Sequence, residues 1–170
     1  MATSDFIIQN GLTISGSIIP TASNIHSLGS TINWWNKIHG VSVVAQYADL
    51  AENYVADTVY DPGTVLDFSG EFEVTLSSID GSKKVAGVVS TNPAYLMNST
   101  QPGEFIASIA LQGRVPTKVV GPIAKGDMMV SNGQGFARAE GNPAVGTVIG
   151  KALENFVGGA GVIEVVVGKH

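Results

Sequence analysis

The chain has 170 residues, enough for one domain with an appendage or for two small units. Charged residues make up only 14%, apolar residues 44%, and glycine is plentiful at 21 residues. This composition fits a β-rich chain that hides extra surface in an assembly. A formal charge of −5 with scattered basic residues excludes a phosphate-binding surface, so no nucleic-acid partner is expected.

There is no cysteine, hence neither a disulfide framework nor a thiolate metal site. No long apolar run and no basic-then-apolar leader is seen, so neither membrane insertion nor a signal peptide is expected. Residues 1–10 read as a short lead. Leu12 to Pro20 alternates apolar with small polar residues, the period of a strand, and Pro20 ends it. The turn-rich stretch Thr21–Ser30 follows. Ile32 to His39 is expected to form a helical turn or two, stopped by Gly40. A leading segment with so few large apolar groups cannot hold a core alone. Ile14, Ile18, Leu28, Trp34, Trp35 and Ile38 are therefore expected to pack around a symmetry axis against sister chains. Residues 1–46 are accordingly read as a thin oligomerising stem, and residues 47–170 as a compact β domain.

Val41 to Gln46 reads as a strand leading into Tyr47-Ala48-Asp49-Leu50-Ala51-Glu52-Asn53-Tyr54, where two carboxyl groups stand between aromatic residues. Beyond it, short apolar runs alternate with Gly-containing turns. Asp61-Pro62-Gly63 precedes Thr64–Phe68, and Ser69-Gly70 is expected to close a hairpin onto Glu71–Leu76. Asp80-Gly81 turns into Lys84–Ser90, with Lys83-Lys84 as an exposed tip. Thr91–Asn98 breaks the alternation and reads as a loop. Phe105–Leu111 and Gly113–Val120 read as two strands, with Gly121-Pro122 as a turn. Met128–Ser131, Ala144–Leu153 and Gly161–Gly168 complete the set. Strands at this spacing, without a sustained helical period, predict an all-β fold: an antiparallel sandwich or barrel-like domain.

Asp49 and Glu52 are three residues apart and would share a face on a helical turn. Carboxyls that close can split their proton affinities into an acid and a base, as peptide-bond cleavage requires. The alternative is that Asp49 caps a short helix and Glu52 completes its first turn. On 91–98, Asn92, Tyr95 and Asn98 offer amides and a ring with which a surface loop could contact a receptor. The alternative has Tyr95 and Leu96 plugging a neighbouring groove. Asp127 is expected to fix its turn by accepting from backbone amides. His26, His39 and His170 lack metal spacing, so no metal and no cofactor are expected. Gly158-Gly159-Ala160-Gly161 precedes a strand rather than a helix and reads as a flexible turn, not a phosphate cradle.

Two resemblances rest on these residues. Ile19-Pro20-Thr21-Ala22-Ser23-Asn24, Ser27-Leu28-Gly29-Ser30 and Asn33-Trp34-Trp35-Asn36-Lys37-Ile38 resemble a short module repeated in bacteriophage tail-fibre and tail-spike chains. Trp35 departs from it, since that module carries one Trp with a basic neighbour. Asp49–Tyr54, Gly87–Pro93, Leu111–Pro116, Lys125-Gly126-Asp127 and Val148–Glu154 together resemble the C-terminal domain of phage fibre and appendage proteins. That domain is related to the autoproteolytic, intramolecular-chaperone class of glutamic-type (peptidase G2-like) peptidase. The resemblance implies a homotrimeric structural element at the distal end of a viral fibre, in the virion beside other tail proteins. It also implies that an acidic pair near Asp49 and Glu52 serves self-cleavage just upstream, at about residues 44–48. Three readings stay open: a structural fibre component, a self-cleaving chaperone domain, and a module binding a bacterial surface glycan or protein.

Overall fold

The computed structural model describes residues 8–168. The start of the lead and His170 lie outside the described residues. The chain divides into two compact units, Met1–Val43 and Val44–His170.

No strand or helix forms among the described residues of the first unit. The strand expected over Leu12–Pro20 and the helical turns expected over 32–40 are both absent. So is the strand expected from Val41 to Gln46. The reason is partnership: a strand needs a second backbone to receive its amides, and a helix this short does not repay its nucleation. What forms instead is a local turn. Ser30 Oγ accepts from Asn33 N at 3.0 Å, and Ser30 N donates to Asn33 O at 3.0 Å. Trp34 Nε1 donates to Thr31 O at 3.2 Å. The Cα of Gly29, at φ +91°, leaves room for the Trp35 ring beside it.

Among its described residues the second unit is all-β, with ten strands in one sheet. They are β1 (Asp49–Val55), β2 (Val65–Asp67), β3 (Thr75–Leu76), β4 (Val85–Val89) and β5 (Tyr95–Met97). There follow β6 (Ile106–Ile123), β7 (Met128–Ser131), β8 (Ala137–Ala139), β9 (Val148–Ala152) and β10 (Phe156–Val167). The pairings β6–β8–β7–β9–β10 return to β6, so these five strands close a barrel. Closure removes the free edges that an open sheet would expose.

The spine of the unit is β6, a single strand of 18 residues where two were expected. Its first half pairs antiparallel with β1, from Asp49 opposite Gly113 to Val55 opposite Ile106. Its second half pairs antiparallel with β10, and Gly121-Pro122 lies within this stretch rather than in a turn. The two halves change partner at Gly113, whose φ is +118°. A Cβ there would run into Ala48 O, so only glycine lets β1 and β10 meet on one strand.

Two cores lie on opposite sides of a common wall. Val65, Val88 and Ala110 face one core with Val115, Met129, Ile149 and Val165. Their neighbours Leu66, Val89 and Ile109 face the other, with Ala56 and Val74. Adjacent residues of a strand point to opposite faces, so both faces of this wall are buried and its strands read as unbroken apolar runs. Burying Leu66 or Ile109 fully contributes roughly 1.5–3 kcal/mol each.

Two further turn expectations are corrected. Gly158–Gly161 lies within β10, where Gly161 pairs with Val119. A Cβ on Gly121 or on Gly161 would stand 2.7 Å from atoms of the Phe156 ring. These glycines form a slot for Phe156. The tight hairpin at Ser69-Gly70 is also absent, because Asp67 pairs with Thr75 and leaves Phe68–Val74 as a longer connection. In that connection the Phe68 ring meets Tyr54 edge-on, with centroids 5.4 Å apart. Asp127 behaves as expected, its Oδ2 accepting from Ala124 N at 2.8 Å.

Candidate functional site

The octet around Asp49 forms a strand, not a helical turn, and this changes what its carboxyls can do. Along β1 burial alternates: Asp49, Ala51 and Asn53 are buried, whereas Leu50, Glu52 and Tyr54 on the other face are half-buried, Tyr54 against the second core. Residues three apart on a strand lie on opposite faces. Asp49 and Glu52 therefore do not share a face, and neither caps a helix.

Each has its own surroundings. Glu52 Oε2 accepts from Tyr54 Oη at 2.8 Å, two residues along the same face. The Tyr54 hydroxyl is pushed up to about 12, first by burial and then by that bond and the charges of Glu52 and Glu73. Asp49 is only 6% exposed, and its Oδ2 has no hydrogen-bond partner. Its backbone carbonyl is used, accepting from Ala94 N at 2.8 Å.

That bond ties 91–98 to β1. Tyr95, Leu96 and Met97, expected in a loop, form β5 and pair in parallel with Leu50, Ala51 and Glu52. All three side chains are exposed. Alternation fails as a signal here because none of the three is buried. The three amide and aromatic candidates part company. Tyr95 is exposed on β5. Asn98 takes φ +52° and its Nδ2 donates to Asn53 O at 3.1 Å and to Gln101 Oε1 at 2.7 Å. It is thereby committed to holding the segment on β1. Asn92 is exposed and reaches a cleft that Asp49 also lines.

This cleft, of about 390 Å³, is bounded by Gln46, Tyr47, Ala48, Asp49, Thr91, Asn92, Arg114, Pro116 and Glu164. Its floor follows from register. Glu164 of β10 pairs with Pro116 of β6, and Arg114 pairs with Val166, so Arg114 and Glu164 are diagonal neighbours on one face. Asp49 sits one residue further along β6, opposite Gly113. The residues around the cleft thus include Glu164, Arg114, Gln46, Asn92 and the half-exposed Tyr47, with the buried Asp49 behind them. Arg114 and Glu164 were missed from sequence, although each is a lone charge in an otherwise apolar run of a charge-poor chain. Only the pairing of β6 with β10 brings them beside Asp49.

Ile14, Ile18, Leu28 and Ile38 are exposed, as are Trp34 and Trp35 at 64% and 62%. No group of three or more metal-ligating side chains occurs among the described residues. Neither a protein-family model nor a curated protein matches the sequence.

Proposed function

We propose that the chain is the distal, C-terminal part of a bacteriophage tail fibre or appendage, a structural component that works as a homotrimer in the virion beside other tail proteins. One observation carries this reading. Ile14, Ile18, Leu28, Trp34, Trp35 and Ile38 are left in solvent, and none of the described residues 8–43 is buried. Large apolar groups left out in such number mark an association surface. The fibre-module resemblance of residues 18–40 supplies the partner, two further copies of the same chain.

The test is the mass in solution. Light scattering is expected to give about three times the 17.6 kDa of one chain. A monomer that persists at high concentration overturns the reading.

Contact with a bacterial surface glycan or protein is a second reading, favoured by the exposed Tyr95, Leu96 and Met97 on β5, a strand that pairs with β1 alone among the described strands. Whole-cell binding lost in Tyr95→Ala, with the mass unchanged, supports it. Equal binding by that variant rejects it.

A further inference from the structure

We infer that Asn10 is a site of spontaneous covalent modification, deamidating to aspartate and isoaspartate, and that the β unit withholds the same chemistry from Asn132 and Asp80. Asn is followed by Gly twice in the chain, at Asn10-Gly11 and Asn132-Gly133, and Asp by Gly once, at Asp80-Gly81. Glycine matters because it has no Cβ to obstruct its own nitrogen. In the reaction the Gly nitrogen, having lost its proton to solvent, attacks the Asn side-chain carbon Cγ. The new N–C bond closes a succinimide, and the amide nitrogen leaves as ammonia. Water then opens the ring at either carbonyl. One opening gives Asp, and the other gives isoaspartate, which routes the main chain through Cβ. Either way a neutral amide becomes a carboxylate. An Asp-Gly pair can close the same ring by expelling water.

Three conditions decide which site reacts: a free side chain, a free following N–H, and room to close the ring. Asn132 meets none of them. Its Oδ1 accepts from Gln134 N at 2.8 Å and from Phe136 N at 3.2 Å, and its own N donates to Phe136 O. The attacking nitrogen is also committed, since Gly133 N donates to Ser131 Oγ at 3.0 Å. A Cβ on Gly133 would lie 2.8 Å from Asp80 N, so the turn is pressed against a neighbouring backbone. Asp80 is held in a similar way. Arg138 donates to both its carboxylate oxygens, and Gly81 N donates to Ser131 O at 2.8 Å. Asn10 is the opposite case. It is exposed, neither it nor Gly11 N enters a hydrogen bond among the described residues, and a Cβ on Gly11 would meet nothing within 4 Å. Reaction at Asn132 must wait for local opening that breaks three bonds, whereas Asn10 needs none.

The site is independent of the fibre reading, because its readout is one residue whatever the mass in solution. The full chain is incubated in mildly alkaline buffer, and peptide mapping by mass spectrometry follows Asp and isoaspartate at each position. Asn10 is expected to convert at least about tenfold faster than Asn132, with a more acidic band growing in step on isoelectric focusing. Gly11→Ala should slow conversion at Asn10 by about tenfold or more and leave Asn132 unchanged. In guanidinium chloride the protection disappears, so Asn132 should then convert within a few-fold of Asn10. The proposal is overturned if Asn10 stays intact while the denatured chain reacts at Asn132. It is equally overturned if the folded chain converts Asn132 as fast as Asn10, or if denaturation leaves Asn132 as slow as before.

Discussion

Single residues set the response of this molecule to pH. Arg138 Nε and Nη2 donate to the two carboxylate oxygens of Asp80 at 2.6 and 2.8 Å, and Nη1 donates to Glu140 Oε2 at 2.9 Å. The guanidinium holds both carboxyls below the ordinary carboxylate range. A carboxyl held low in the folded state stabilises fully above its unfolded value, about 4, and loses that contribution as pH falls through the lower folded value. Melting temperature is therefore expected to fall on acidification below about pH 4, and to fall less in Arg138→Met. The difference will be small because the groups are solvated. Equal acid limbs in the two proteins would show that Arg138 contributes nothing. At the alkaline end the sign reverses. Tyr54, raised to about 12, favours the folded state fully below the unfolded value near 10 and loses this as pH climbs toward 12. A phenolate absorbance titration should show late ionisation from Tyr54 and Tyr60, both held up first by burial, with one late-ionising group fewer in Tyr54→Phe.

Elements are held together by close backbone approaches that glycine alone permits. Gly113→Ala places a methyl on Ala48 O at the point where β6 changes partner from β1 to β10, at a φ that L residues avoid. This should destabilise by roughly 3 kcal/mol or more, read as a lower urea midpoint with an unchanged slope. Gly159→Ala meets open space and bears only the backbone strain of φ +77°, on the order of 1 kcal/mol. Comparable losses in the two variants would refute the crossing-point argument. The strand character of β1 makes another prediction. With Asp49 and Glu52 on opposite faces, freshly purified chain should run as one band on a denaturing gel. Two bands that merge into one in Asp49→Asn or Glu52→Gln would mean that the pair acts together after all.

For the molecule as a whole, the proposed trimer would tie stability to association through the stem. If Trp34 and Trp35 are buried between copies, melting of the stem becomes dependent on protein concentration. Trp34→Ala and Trp35→Ala should then lower the association constant by about tenfold or more each, since an aromatic at such a contact is worth well over 1 kcal/mol. The tryptophans are the only two in the chain, so their fluorescence reports on this step directly. An emission maximum already at the solvent-exposed position in the assembled protein, unchanged on dilution, would contradict burial between subunits.

Much of the β unit was legible because its information is local. Apolar runs such as Val85–Val89 and Met128–Ser131, punctuated by Gly and Asp, determine strands wherever they are read, and with no helical period the all-β class follows. The failures share one cause. Glycine reads as a turn at Gly121 and at Gly158–Gly161, but Gly121 and Gly161 make space for the Phe156 ring, and periodicity does not encode what packs against a backbone. Tyr95–Met97 gave no strand signal because an exposed edge strand has no buried face to imprint a pattern. The spacing of Asp49 and Glu52 is equally compatible with one face of a helix and with two faces of a strand. Only the hydrogen bonds to β6, more than fifty residues away in sequence, chose the strand. The same choice assembled the cleft, since Asp49, Arg114 and Glu164 become neighbours through the register of three strands. The sequence by itself determined that this chain alternates into sheet. Which side chains face one another was decided by tertiary structure, because sheet partners are set by long-range pairing and alternation is a property of each strand alone.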